Sequence, residues 1–141
     1  MKLGKHTLEL EYDFSFVLIG ISAHEKDYRI CWAINNHFGL NLIKVEPLEI
    51  KDKKQNDPSL FSLFICDRSD EFLEYIVVAN RSEKGLLIPE QKQMDYFFMI
   101  RGEVTEELAE DALQKMKETG LVQTAVRINA ATLKSKQNLV F

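Results

Sequence analysis

The sequence predicts a single α+β domain, a two-layer sandwich in which a mixed, largely antiparallel sheet carries two main helices on one face, ferredoxin-like in outline. Three observations point there. Short β-rich runs alternate apolar and polar residues or are apolar throughout. Two longer stretches change to a spacing of three and four. Each of these helical stretches lies between strands, and together they flank a central hairpin. A chain of 141 residues suits one domain spanning 1–141, with a C-terminal tail over 134–141.

Thr7 to Tyr12 places Leu8, Leu10 and Tyr12 opposite Thr7, Glu9 and Glu11, the pattern of a half-buried strand. Phe14 to Ile21 is more continuously apolar and suits a central strand covered on both faces. Ser22 and Glu25 have capping-box spacing, after which Ile30, Cys31, Ile34 and Phe38 mark a helix from about Glu25 to Phe38 that Gly39 stops. Leu40 to Ile50 reads as a strand, with Pro47 implying an edge position or a bulge. Lys51 to Pro58 is a polar loop.

Leu60 to Cys66 and Phe72 to Ala79 are spaced as an antiparallel hairpin around Asp67 to Glu71. Asn80 to Gly85 is a second polar turn, and Leu86 to Ile88 a short extended stretch ended by Pro89. Met94 to Arg101 has large side chains on both parities, the mark of another central strand. From Thr105, Leu108, Ala109, Ala112, Leu113 and Met116 form an apolar helical face, with acids early and Lys115 and Lys117 late. Gly120 ends that helix, and the alternation from Leu121 to Ile128 gives a last strand. The two strand-helix-strand crossovers are expected to be right-handed.

Eighteen basic residues against twenty-two acidic give a net charge of -4, which offers no general attraction to nucleic acid. The densest basic run, Lys51, Lys53 and Lys54, is interrupted by Asp52 and followed by Asp57, as in a solvated loop. No apolar run has the length of a signal core or a membrane span, so a cytoplasmic protein with no membrane association is expected. Cys31 and Cys66 stand far apart, outside any C-x-x-C pair, and are expected as small buried hydrophobes in a reducing compartment. His6, His24 and His37 lack metal-ligand spacing, and no phosphate-binding glycine loop or nucleophile elbow occurs, so neither metal nor cofactor is expected.

The segment Ile88-Pro89-Glu90-Gln91-Lys92-Gln93-Met94-Asp95-Tyr96 stands out, because a rigid Pro and a polar stretch interrupt two apolar runs. It resembles the signature of the IPExxxVDY family, small bacterial proteins found mainly in the Bacteroidetes, with Met94 in place of the usual Val. The resemblance extends through Asp27-Tyr28-Arg29, Trp32 and Asn35 to the terminal Leu133-Lys134-Ser135-Lys136 and Asn138 to Phe141. It implies a bacterial, cytoplasmic, one-domain protein and supplies no reaction, ligand or partner. The larger Met94 is expected to affect packing alone.

Physically, Pro89, Glu90, Asp95 and Tyr96 admit two readings. They shape a pocket, or Glu90 or Asp95 ties down backbone amides or pairs with Arg29, Arg81 or Arg101 to fix strand register. Trp32 lies off the main apolar stripe of its helix, beside Tyr28, and is either part of a wide buried face or an exposed interface. Phe141 docks on its own domain or on a neighbour. Three functions follow in order. The first is a non-catalytic interaction or scaffold module, self-associating or binding a protein partner through Tyr28, Trp32, the Pro89-Glu90 loop or Phe141. The second is a small-metabolite sensor using the Ser22 to Asp27 and Val104 to Glu107 turns, by analogy of fold. The third is an enzyme using Glu90 and Asp95.

Overall fold

The computed structural model describes residues 14–51 and 56–141. The expected strand Thr7 to Tyr12, His6, and Lys53 and Lys54 of the basic run lie outside the described residues.

Among the described residues, ten strands and two α-helices follow one another as β1 (Val17–Ser22), α1 (Asp27–Phe38), β2 (Ile43–Lys44), β3 (Leu48–Ile50), β4 (Ser59–Phe61), β5 (Leu63–Arg68), β6 (Leu73–Ala79), β7 (Arg81–Ser82), β8 (Gly85–Leu86), β9 (Tyr96–Gly102), α2 (Glu106–Glu118) and β10 (Thr124–Arg127). The main sheet has six strands in the order β10-β1-β9-β6-β5-β2. Every pairing in it is antiparallel. Taken alone, β1, β6, β9 and β10 with the two helices reproduce the ferredoxin-like arrangement, which β5 and β2 extend at one edge.

Both faces of the sheet are covered, and strand alternation explains how. In β9, Tyr96, Phe98 and Ile100 join the core beneath the helices, while Phe97 and Met99 point into a second core on the opposite face. The helix side is closed by Ile30, Cys31 and Ile34 of α1 and by Ala109, Ala112 and Met116 of α2. Among the described residues, the opposite side is closed without an α-helix. Leu48 and Ile50 of β3, Phe61 of β4, Leu87 and Ile88, and Ala130, Leu133 and Leu139 of the tail pack there. Leu139 is 1% exposed, so the tail docks on its own domain. Each fully buried Leu or Ile contributes about 1.5–3 kcal/mol of transfer free energy.

Met94 also belongs to this second core. A Cβ on Gly20 would stand 2.6 Å from the Met94 sulfur, so the absence of a side chain at position 20 makes the room that Met94 occupies.

Several expectations change in detail. The run from Leu40 to Ile50 is two strands, because Pro47 breaks it: β2 pairs with β5 at the sheet edge and β3 pairs with β4 in a separate ribbon. The Ser22-Glu25 capping box does not form. Ser22 is the last residue of β1, opposite Thr124, and its carbonyl accepts a hydrogen bond from the Gln123 amide at 2.9 Å. The chain bends at His24 and Glu25 before the extended N-cap, Lys26, which contributes no side-chain cap bond. α2, by contrast, has a side-chain cap, with Thr105 accepting from the Leu108 amide. It is α1 that ends on a left-handed glycine, Gly39 (φ 68°). After α2 the left-handed residue is Leu121 (φ 78°), not Gly120.

Candidate functional site

The segment from Ile88 to Tyr96 is built as a clasp. Pro89 opens a short 3-10 turn over Pro89–Gln91, a position that suits a residue with fixed φ and no amide donor. Glu90 accepts from the Ser135 amide at 2.7 Å and from the Ser135 hydroxyl at 2.9 Å, which fastens the tail. Burial works to raise the Glu90 pKa. It is outweighed by hydrogen bonds from the Ser135 amide, from the backbone at Glu90, from the Ser135 hydroxyl and from the backbone at Lys134, and the carboxyl is held below its ordinary range.

Asp95 turns the other way. It accepts from the Ala23 amide at 2.8 Å and from Arg81 Nε at 2.7 Å, while Arg81 Nη2 also donates to the Lys92 carbonyl at 2.8 Å. Of the three expected arginine partners, Arg81 is the one that meets a motif carboxylate. Arg29 bonds Glu25 and Arg101 bonds Glu74.

Asn80 completes the clasp, and sequence reasoning missed it. Read as one residue of a polar turn, it is fully buried. Its amide nitrogen donates to the carbonyls of Gln91 (3.0 Å) and Met94 (2.9 Å), and its oxygen accepts from the Ile88 amide (2.8 Å). The run Asn80-Arg81 immediately after an apolar strand was the available signal, but nothing in it distinguishes a buried Asn from an ordinary turn Asn.

Beside Asp95 lies an open cleft of about 490 Å³ at the β1-α1 turn, lined by His24, Lys26, Asp27, Arg81, Asp95 and Tyr96 among others. This is the turn expected to take a ligand, although Ser22 itself is not in the lining. Several of its polar groups are already engaged: Arg81 on Asp95, the Tyr96 hydroxyl on the Glu25 carbonyl at 2.5 Å, and Asp27 on Lys44, outside the cleft, at 3.5 Å. Burial first, then the carboxylates of Asp27 and Asp95, push Tyr96 up to about 12, so its phenol is a fixed donor. The Cys31 thiol is likewise pushed up to about 12, mainly by burial and then by Asp27. Glu90 is absent from this lining, and the two motif carboxylates hold different partners. Among the described residues, no three of His, Cys, Asp and Glu converge as a metal set.

The chain has no significant match among family models, curated proteins or solved structures.

The other candidates sit elsewhere. Tyr28 and Trp32 stand one turn apart on the outer face of α1 and are 61% and 63% exposed, so the Trp32 ring is not part of a buried face. Directly alongside runs a hollow of about 420 Å³ whose lining includes Arg29, Trp32, Ala33, His37, Gly120 and Leu121. Phe141, at 36% exposure, has its ring against the Arg101 guanidinium at 5.1 Å, and its carbonyl accepts from Arg101. Among the described residues no helix is long and apolar enough to cross a membrane.

Proposed function

We propose that this protein is a non-catalytic cytoplasmic interaction module that associates with a second copy of itself through the outer face of α1. One observation carries the reading. Tyr28 and Trp32 form an exposed aromatic ridge at helical spacing, and beside it Ala33 and Gly120 leave a groove with little side-chain volume. A ridge and a groove on one face are self-complementary: a two-fold axis seats each Trp32 in the groove of the other protomer, as in helix packing within a core. Large aromatics that are nearly two thirds exposed contribute little to the fold, yet they are the residue types that dominate association energies.

The β1-α1 cleft supports a metabolite sensor less well, because a ligand there displaces the Arg81-Asp95 and Tyr96-Glu25 bonds on which the clasp depends. The separation of Glu90 from Asp95 weighs equally against the enzyme reading. The resemblance of residues 88–96 to the IPExxxVDY signature adds a bacterial setting to the proposal and no chemistry.

Sedimentation velocity across a dilution series tests it. The wild-type chain is expected to shift toward dimer with concentration, and Trp32→Ala to remain monomeric at an unchanged melting temperature. A wild-type chain that stays monomeric at the highest concentration would overturn the reading.

A further inference from the structure

Among the described residues Phe72 is the most exposed of the large apolar side chains, at 66%, and it holds a backbone conformation that phenylalanine adopts reluctantly. It follows the 3-10 turn Ser69–Glu71 with φ 60° and ψ 34°, in the left-handed region where Gly or Asn sits with least strain. The conformation is clamped. The Phe72 carbonyl accepts from the Glu103 amide at 2.9 Å and lies so close to Gly102 that a Cβ there would stand 2.1 Å from it. Gly102 (φ 113°) thereby lets β9 lock the tip of the β5-β6 hairpin. The sequence thus places a large aromatic where a small residue folds more easily, and then leaves the ring in water.

The surroundings say what such a ring would meet. Asp70 and Glu71 precede it in the turn, and Asp67, Glu74 and Glu103 border the shallow hollow beside it. The two cations nearby are already engaged: Arg68 with Glu71 and the Gly39 carbonyl, and Arg101 with Glu74 and Phe141. An apolar knob with an acidic rim repels nucleic acid and anionic lipid, and also the same acidic knob of a second copy. It complements an apolar pocket rimmed by Lys and Arg.

We infer that Phe72 is the anchor of a second docking surface, which inserts into an apolar pocket with a basic rim on a different protein. A two-surface scaffold results, one surface for its own kind and one for a basic partner.

The test uses the full chain as immobilised bait in three forms: wild type, Phe72→Asn, and Asp70→Asn with Glu71→Gln. Asparagine tolerates the left-handed conformation, so Phe72→Asn is expected to melt no lower than wild type. From an extract of the source cells, wild type is expected to retain a protein with a basic surface. With that protein purified, Phe72→Asn binds weaker by about thirtyfold, as on loss of an aromatic hot spot, and the charge variant gives a smaller loss that added salt erases. A lower melting temperature for Phe72→Asn would show that the ring packs in the fold and would overturn the inference. So would retention that is equal for all three baits, insensitive to salt, or limited to nucleic acid, a second copy or nothing.

Discussion

Asn80 shows how much of this structure rests on one side chain. Its carboxamide joins the end of β6 to both sides of the motif loop, and the three backbone groups it meets belong to Ile88, Gln91 and Met94. Asn80→Ala strands these partners away from water and is expected to destabilise the domain by about 3 kcal/mol, measured by urea denaturation. Asn80→Asp is expected to cost more, because a carboxylate oxygen then faces the two carbonyls that the amide nitrogen served. A smaller loss for Asp than for Ala would show that the loop is held some other way. At this scale the sequence was partly legible. The tying of backbone amides by Asp95 and Glu90 was among its expectations, since an acid beside a turn has few other uses. Asn80 was not legible, because burial is a property of the tertiary neighbours and not of a polar turn.

At the scale of elements, periodicity located both helices and the central hairpin to within a few residues, while their ends obeyed local competition. Ser22 is lost to the α1 cap because Thr124 holds it in the sheet and Asp95 takes the Ala23 amide. The tail is the element least legible from its composition: a basic, then apolar run says nothing of where it docks, and Glu90, forty-five residues earlier, helps to fix it beside the buried Leu133 and Leu139. That attachment is titratable. The folded-state pKa of Glu90 lies below its ordinary value of 4.5, so the carboxylate's contribution is complete above that value and is lost as pH falls through the lowered one. The melting temperature of wild type is therefore expected to exceed that of Glu90→Gln at neutral pH, and the gap to close in acid. A gap that stays constant across the acid series would show that the charge of Glu90 does not hold the tail.

At the scale of the whole molecule, the clasp, the tail and the helices enclose two cores on one sheet, and the exposed aromatics are left at separate places. Trp32 lies on the outer face of α1, whereas Phe72 lies beyond the end of that helix, where Arg68 reaches the Gly39 carbonyl. The two surfaces differ in physical character as well as in position. The α1 ridge and groove are driven by apolar burial, which salt does not screen. The Phe72 knob carries an acidic rim, whose attraction to a basic partner fades once the screening length falls below about 10 Å, near 0.1 M salt. Substitutions on two surfaces that share no partner are expected to act independently. Phe72→Asn should dimerise as wild type does, and Trp32→Ala should retain the basic partner at full salt sensitivity. The check is sedimentation of each variant with and without that partner, at low and at moderate salt. If Trp32→Ala also loses the partner, the two aromatics serve a single interface and the molecule is a simple dimer rather than a bridge.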